Sequence, residues 1–145
     1  SQTHRHLQLI PLPMAPFTRL PLSPLLDQCW HATLSCTPAL PFHHAGIALA
    51  DSTFINPNQA GEQLLDTYHA LLATQDIVSK DCQITTPYNL LITRDWMLLV
   101  PRHRECFADI SFNALAFCGA LLVRSAAQAS RLKSIGIGHA LRAVS

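Results

Sequence analysis

A chain of 145 residues and 16.0 kDa suits one compact domain and leaves little room for a second. A formal charge of +1 excludes the broad basic field that gathers nucleic acid or an anionic membrane, so any phosphate recognition must be local. Hydrophobic residues make up 49% and charged residues 13%, yet the apolar runs reach only about six residues, far short of the ~20 that span a bilayer.

The first residues carry neither a basic n-region nor an apolar h-region, which makes the cytoplasm the expected compartment. Five cysteines, Cys29, Cys36, Cys82, Cys106 and Cys118, lack the C-x-x-C spacing of a zinc site and read as reduced thiols, so no metal cage is expected. From residue 4 to 12 the alternation predicts a strand with His4, His6 and Gln8 on one face and Arg5, Leu7 and Leu9 on the other. Pro11, Pro13, Pro16, Pro21 and Pro24 then predict an extended loop over residues 11 to 25, with a short helical turn over 25 to 32.

Residues 42 to 49 predict a second strand. There His43 and His44 fall on opposite faces, one to solvent and one to the core. Asn56 before Pro57 marks a helix start, and Leu64, Leu65, Tyr68, Leu71 and Leu72 form an apolar stripe with Glu62, Asp66 and His69 largely away from it. Two apolar runs, 88 to 92 and 96 to 100, separated by Thr93-Arg94-Asp95, predict a hairpin with both strands buried. Arg102-His103-Arg104 reads as a basic, solvated loop, with contact to a polyphosphate as the alternative, and Asn113 as a turn residue leading into an apolar segment, 114 to 123, that favours a strand at its end. Ser125 with Gln128 forms a capping box for a helix ended by Gly136, and a last helix covers 139 to 144.

The chemistry concentrates in His4-x-His6-x-Gln8. Alternate strand residues project to one side about 7 Å apart, a spacing that tracks a phosphoanhydride. A neutral imidazole is a competent nucleophile near pH 7, and its attack on phosphorus gives a phosphoramidate that splits one displacement into two. Gln8 can donate to a phosphoryl oxygen but cannot shuttle a proton, which favours transfer over hydrolysis. The pattern alone also admits a surface strand with two idle histidines, or a zinc pair short of its third ligand.

Ser1-Gln2-Thr3-His4-Arg5-His6-Leu7-Gln8 resembles the Ser-Gln-x-His-x-His-Leu-Gln segment of diadenosine tetraphosphate phosphorylases, also called ATP adenylyltransferases, of the histidine-triad superfamily. Pro87-Tyr88-Asn89-Leu90-Leu91-Ile92-Thr93-Arg94-Asp95-Trp96-Met97, Val100-Pro101-Arg102, and Ile110-Ser111-Phe112-Asn113 through Phe117-Cys118-Gly119 resemble the C-terminal region of that family, in order. The resemblance implies an α+β, HIT-like antiparallel sheet with packed helices, here over residues 1 to 145 and lacking the N-terminal strands. It further implies phosphorolysis of diadenosine tetraphosphate to ATP and ADP through an adenylylated His6. His4 would orient His6, Gln8 would hold the phosphoryl group, and Ser1, Gln2, Asn89 and Arg94 would contact nucleotide or phosphate.

Adenine nucleotides are then the expected ligands, with no covalently bound cofactor and room for a divalent cation on the polyphosphate. Association with an N-terminal half or another chain is expected, and neither nucleic acid nor membrane is a partner. Two other readings stay open at this point. One is a hexose-1-phosphate uridylyltransferase, which usually has Pro where Arg5 stands; the other is a nonenzymatic nucleotide-binding module.

Overall fold

The computed structural model describes residues 6–12, 18–29, 40–75, 77, 83–84 and 86–145. Its centre is a three-stranded antiparallel sheet: β1 (Ala45–Ala48), β3 (Trp96–Pro101) and β2 (Tyr88–Ile92), in that spatial order. Ala45 lies opposite Leu99, and Tyr88 opposite Pro101. The turn from β2 to β3 is the predicted one. Thr93 Oγ1 accepts the amides of Asp95 and Trp96, each at 3.1 Å, which closes the three-residue loop.

β3 is buried from end to end because it is the middle strand and both of its faces are covered. Met97 and Leu99 point to one core with Ala45, Leu71, Leu72 and Ile77. Trp96, Leu98 and Val100 point to the other with Leu26, Phe112, Phe117, Leu132 and Leu141. A continuous apolar run is what such a strand requires, and each of these side chains contributes about 1.5–3 kcal/mol on leaving water. β2 stands at the sheet margin and is only half-buried, so the expectation of two buried strands holds for β3 alone.

The first core is roofed by α2 (Pro57–Thr74). Asn56 caps it by accepting the Asn58 amide at 3.1 Å, as the Asn-Pro pair predicts. Leu71 and Leu72 are buried, Leu64 and Tyr68 pack at the rim, and the Tyr68 hydroxyl meets that of Tyr88 on β2. Leu65, assigned to the apolar stripe, is 53% exposed: the sheet beneath is too narrow to cover the whole arc of the helix.

The second core is closed by α1 (Ser23–Cys29), α3 (Ala126–Ile135), α4 (Ile137–Val144) and a 3-10 helix, Ala114–Cys118. The helical turn predicted for 25 to 32 begins earlier, at Ser23, with Pro24 in the first turn where no backbone donor is lost. The capping box of α3 is present: Ser125 Oγ accepts the Gln128 amide at 3.2 Å, while Gln128 Oε1 reaches back one residue further, to the Arg124 amide at 2.8 Å. Gly136, at φ +91°, ends α3, and α4 follows at once, starting two residues before its expected place.

Two expectations are overturned. Residues 6–12 form no strand; the backbone there is irregular, because alternation specifies a face only when a neighbouring strand completes the ladder, and among the described residues none lies alongside. His4 and Arg5 lie outside the described residues. The apolar segment from 114 forms a 3-10 helix followed by irregular chain rather than a strand. Its direction changes at Gly119, whose φ of +96° is left-handed, and the Ala120 amide folds back onto Leu115 O at 3.0 Å.

The two histidines of the second predicted strand divide as expected. His43 is exposed and His44 buried, with His44 Nδ1 donating to Phe42 O at 2.8 Å. Burial pushes the His44 imidazole below its ordinary range, against the opposing pull of the Phe42 carbonyl, and His43 adds to the depression. Such a group binds its proton more readily in the unfolded chain, so its stabilising contribution is complete above about pH 6.5 and is lost as the pH falls below that value. Urea midpoints should accordingly drop between pH 7 and 5.5, and His44→Gln should flatten that part of the profile.

Among the described residues, no helix is long and apolar enough to cross a membrane.

Candidate active site

His6 and Gln8 lie two residues apart in the irregular stretch 6–12, both exposed, as are Leu7 and Leu9 at 101% and 96%. Ser1, Gln2 and His4 lie outside the described residues. His6 is thus exposed to solvent.

Asn89 and Arg94 are held by the β2–β3 hairpin, but at opposite ends of it. Asn89 is opposite Val100 near the start of β2, and Arg94 lies in the turn beyond Ile92, on the order of 15 Å further along. The fold does not bring them together. Arg94 is exposed and its guanidinium lies 5.7 Å from the centre of the Phe54 ring, so it is held by an aromatic face rather than by an anion.

Asn89 is more informative. Its side-chain nitrogen is buried yet makes no hydrogen bond among the described residues. An Asn at a strand end ordinarily satisfies itself on nearby backbone, and this one does not. An orphaned donor costs about 1–3 kcal/mol, which a ligand acceptor would return. Asn89→Leu is therefore expected to keep or raise the urea midpoint while weakening nucleotide binding, read by calorimetric titration; a loss of stability with unchanged binding would make Asn89 purely structural.

Arg102 is a residue whose work the sequence concealed. Expected in a solvated loop, it is half-buried, with Nε donating to Val144 O at 3.2 Å and Nη1 to Phe112 O at 2.9 Å. Nη2 donates to Arg104 O at 2.7 Å and Glu105 O at 3.3 Å. Its guanidinium also lies 5.1 Å from the centre of the Phe117 ring. Burial lowers its pKa, opposed by Glu105 and Cys106, but an arginine stays charged through any ordinary range. It is a clamp joining β3 to α4 and to the small hairpin of β4 (Cys106–Phe107) and β5 (Ile110–Ser111). Only His103 and Arg104 of the basic triplet are left in solvent.

One further concavity was not foreseen, a cleft of about 240 Å³ lined by Ser111, Asn113, Leu122, Val123, Arg124 and Gln128. Asn113 does stand at a turn, accepting the Ala116 amide with its carbonyl at 3.2 Å, and its side chain makes no cap. Among the described residues, no three His, Cys, Asp or Glu side chains converge as metal ligands.

The profile of the ATP adenylyltransferase C-terminal domain matches residues 38–145, which is most of the chain. The chain belongs to the ATP adenylyltransferase C-terminal domain family. The hairpin with Asn89 and Arg94, the Arg102 clamp and the segment 110 to 124 all lie inside the matched region of this ATP adenylyltransferase domain, and His4, His6 and Gln8 lie upstream of it.

Among curated proteins, the domain is similar to Protein APA1 of Saccharomyces cerevisiae, 25% identical over 142 residues. It is also similar to diadenosine 5',5'''-P1,P4-tetraphosphate phosphorylase 2 of the same yeast, 26% identical over 136 residues. Each comparison covers 86% of this chain and 41% of the relative, so the chain spans well under half the length of the curated relatives it matches. The crystal structure of yeast Ap4A phosphorylase Apa2 superposes with a TM-score of 0.52 at 21% identity, over 72% of this chain and 36% of that one. That likeness establishes the fold: the α+β, HIT-like architecture read from the sequence.

Proposed function

We propose that this chain carries the nucleophile segment and part of the nucleotide site of a nucleotidyltransferase that phosphorolyses diadenosine tetraphosphate to ATP and ADP. The observation that carries this reading is the coexistence, in one chain, of the ATP adenylyltransferase domain over residues 38–145 and the His4-x-His6-x-Gln8 triplet upstream of it. A relative of the same family is named for that phosphorolysis.

In the proposed reaction the neutral His6 imidazole attacks the phosphorus adjoining one adenosine. A phosphorus–nitrogen bond forms, the anhydride bond breaks, and ATP leaves. Inorganic phosphate then attacks the same phosphorus, ADP departs, and His6 regains its lone pair. His4 orients the ring, Gln8 holds a phosphoryl oxygen without offering a proton relay, and Ser1, Gln2, Asn89 and Arg94 contact nucleotide or phosphate. A divalent cation enters on the oxygens of the polyphosphate, as part of the substrate.

The full exposure of Leu7 and Leu9 supports a second part of the proposal: the His-bearing segment is completed by further polypeptide, an N-terminal half or another chain, that covers these leucines. The compartment proposed is the cytoplasm, on the reduced-thiol reading of the cysteines.

The test is intact-mass spectrometry after incubation with diadenosine tetraphosphate, with and without phosphate. An adduct of AMP mass in the wild type, discharged by phosphate and absent from His6→Ala, is the expected result. An adduct that persists in His6→Ala removes His6 from the role, and tight nucleotide binding with no adduct points to a binding module.

A further inference from the structure

The segment immediately downstream of the histidines is seated in the domain by a contact that only a glycine permits. Leu20 and Leu26 are buried in the second core, the Leu22 amide donates to Cys118 O at 3.3 Å, and Pro21 lies against Gly119. A methyl group on Gly119 would stand 2.6 Å from Pro21 Cβ, closer than carbon atoms approach, and a tight 3.2 Å from Pro21 Cγ, and the φ of +96° there already disfavours any other residue. These residues, 20 to 26, precede the region matched by the family profile and yet are part of its core.

We propose that Gly119 is a positioning residue: its notch seats Pro21, and the seated strap anchors the His4–Gln8 segment to the domain. The positioning half of this inference rests on the proposed function; the anchor does not. Eleven residues separate Gln8 from Leu20, so the seated Leu20 bounds the distance at which the His4–Gln8 segment can stand from the domain. The same contact ties the strap to the 3-10 helix that carries Phe117 and leads into the Asn113–Arg124 cleft.

The experiment is limited trypsin digestion of the intact chain, following cleavage after the exposed Arg19, directly before buried Leu20, by the mass of the 20-to-145 fragment. Gly119→Ala should be cut roughly tenfold faster than the wild type under conditions where both are folded by circular dichroism, because the strap is released locally. Gly136→Ala is the control. Its backbone, at φ +91° and ψ 124°, disfavours a side chain at least as strongly as that of Gly119 at φ +96° and ψ 5°, but no atom lies within 4 Å of the added methyl, so it should be cut at the wild-type rate. Equal rates for the two variants would overturn the anchor.

Where Gly119→Ala does not fold, Pro21→Ala takes its place, leaving the turn intact and read by hydrogen exchange at the Leu22 amide. Lost protection supports the anchor, and retained protection overturns it. Neither readout needs a nucleotide. Adenylylation of His6 then tests positioning: it should slow in Gly119→Ala and not in Gly136→Ala, and equal slowing would overturn that half. A wild type that forms no adduct counts against the proposed function, while cleavage still decides the anchor.

Discussion

His6→Ala is expected to abolish the adenylyl adduct and to lower phosphorolysis by on the order of 10⁴-fold or more, the scale seen when a covalent nucleophile is removed and only binding and electrostatics remain. The neighbours should fail differently. Gln8→Ala removes the proposed donor to the phosphoryl oxygen and should cost roughly 10²–10³-fold in turnover with the adduct still formed. Gln8→His supplies the proton relay that glutamine withholds, so discharge should move from phosphate toward water, read as a rising ratio of AMP to ADP among the products. A Gln8→His protein with an unchanged product ratio would show that the residue does not govern the acceptor. These assays call for the 145-residue chain both alone and with the further polypeptide proposed to cover Leu7 and Leu9, because the segment that carries His6 is exposed.

Arg102→Ala should destabilise the domain by about 2–4 kcal/mol, a large share of the 5–15 kcal/mol by which domains exceed their unfolded state. The guanidinium serves four carbonyls from three parts of the fold. Their losses are unequal. Val144 O also accepts the amides of His103 at 3.1 Å and Arg104 at 3.4 Å and so stays satisfied, whereas Phe112 O, at 2.9 Å from Nη1, has no other donor among the described residues. The Phe117 ring, fully buried and edge-on to Phe42 at 5.0 Å between centres, loses the cation beside it.

Arg102→Lys should recover only a minor part of the loss, since an ammonium is a point charge that cannot reach four divergent carbonyls. Urea unfolding of Arg102→Ala, Phe117→Ala and the double variant would show non-additivity of about 0.5–1.5 kcal/mol if the stacking is real, and simple additivity if it is not. An Arg102→Ala midpoint within error of the wild type would return the residue to the solvated loop in which the sequence alone placed it.

The misplacement of Arg102 has a plain cause. Three polar residues in a row, Arg102-His103-Arg104, carry no periodicity, so nothing local says that the first of them faces the end of α4, 42 residues later. The strand expected over 4 to 12 failed for a related reason. Period-two alternation names the face a strand would show, but pairing needs a neighbour, and the described residues supply none. In the segment after Asn113 the apolar residues are compatible with more than one backbone, and the left-handed turn at Gly119, against which Pro21 lies, ends the 3-10 helix. One trace was readable earlier: Gly119 interrupts an apolar run, which is where close approach of another chain segment is commonly accommodated.

What the sequence determined by itself is the set of features whose cause is local. The Asn56-Pro57 helix start, the Ser125-x-x-Gln128 cap with Gly136 ending the helix, and the Thr93-Arg94-Asp95 hairpin all formed where they were read, because capping and turn chemistry act within a few residues. The family was also legible, from motifs in order along the chain. Only the tertiary structure decided that Arg102 is a clamp, that the side-chain nitrogen of Asn89 is buried without a partner among the described residues, and that Asn89 and Arg94 stand at opposite ends of the hairpin. It alone decided, too, that Pro21 rests on Gly119. Each of these depends on residues distant in sequence meeting in space, and burial and pairing are properties of that meeting rather than of any residue alone.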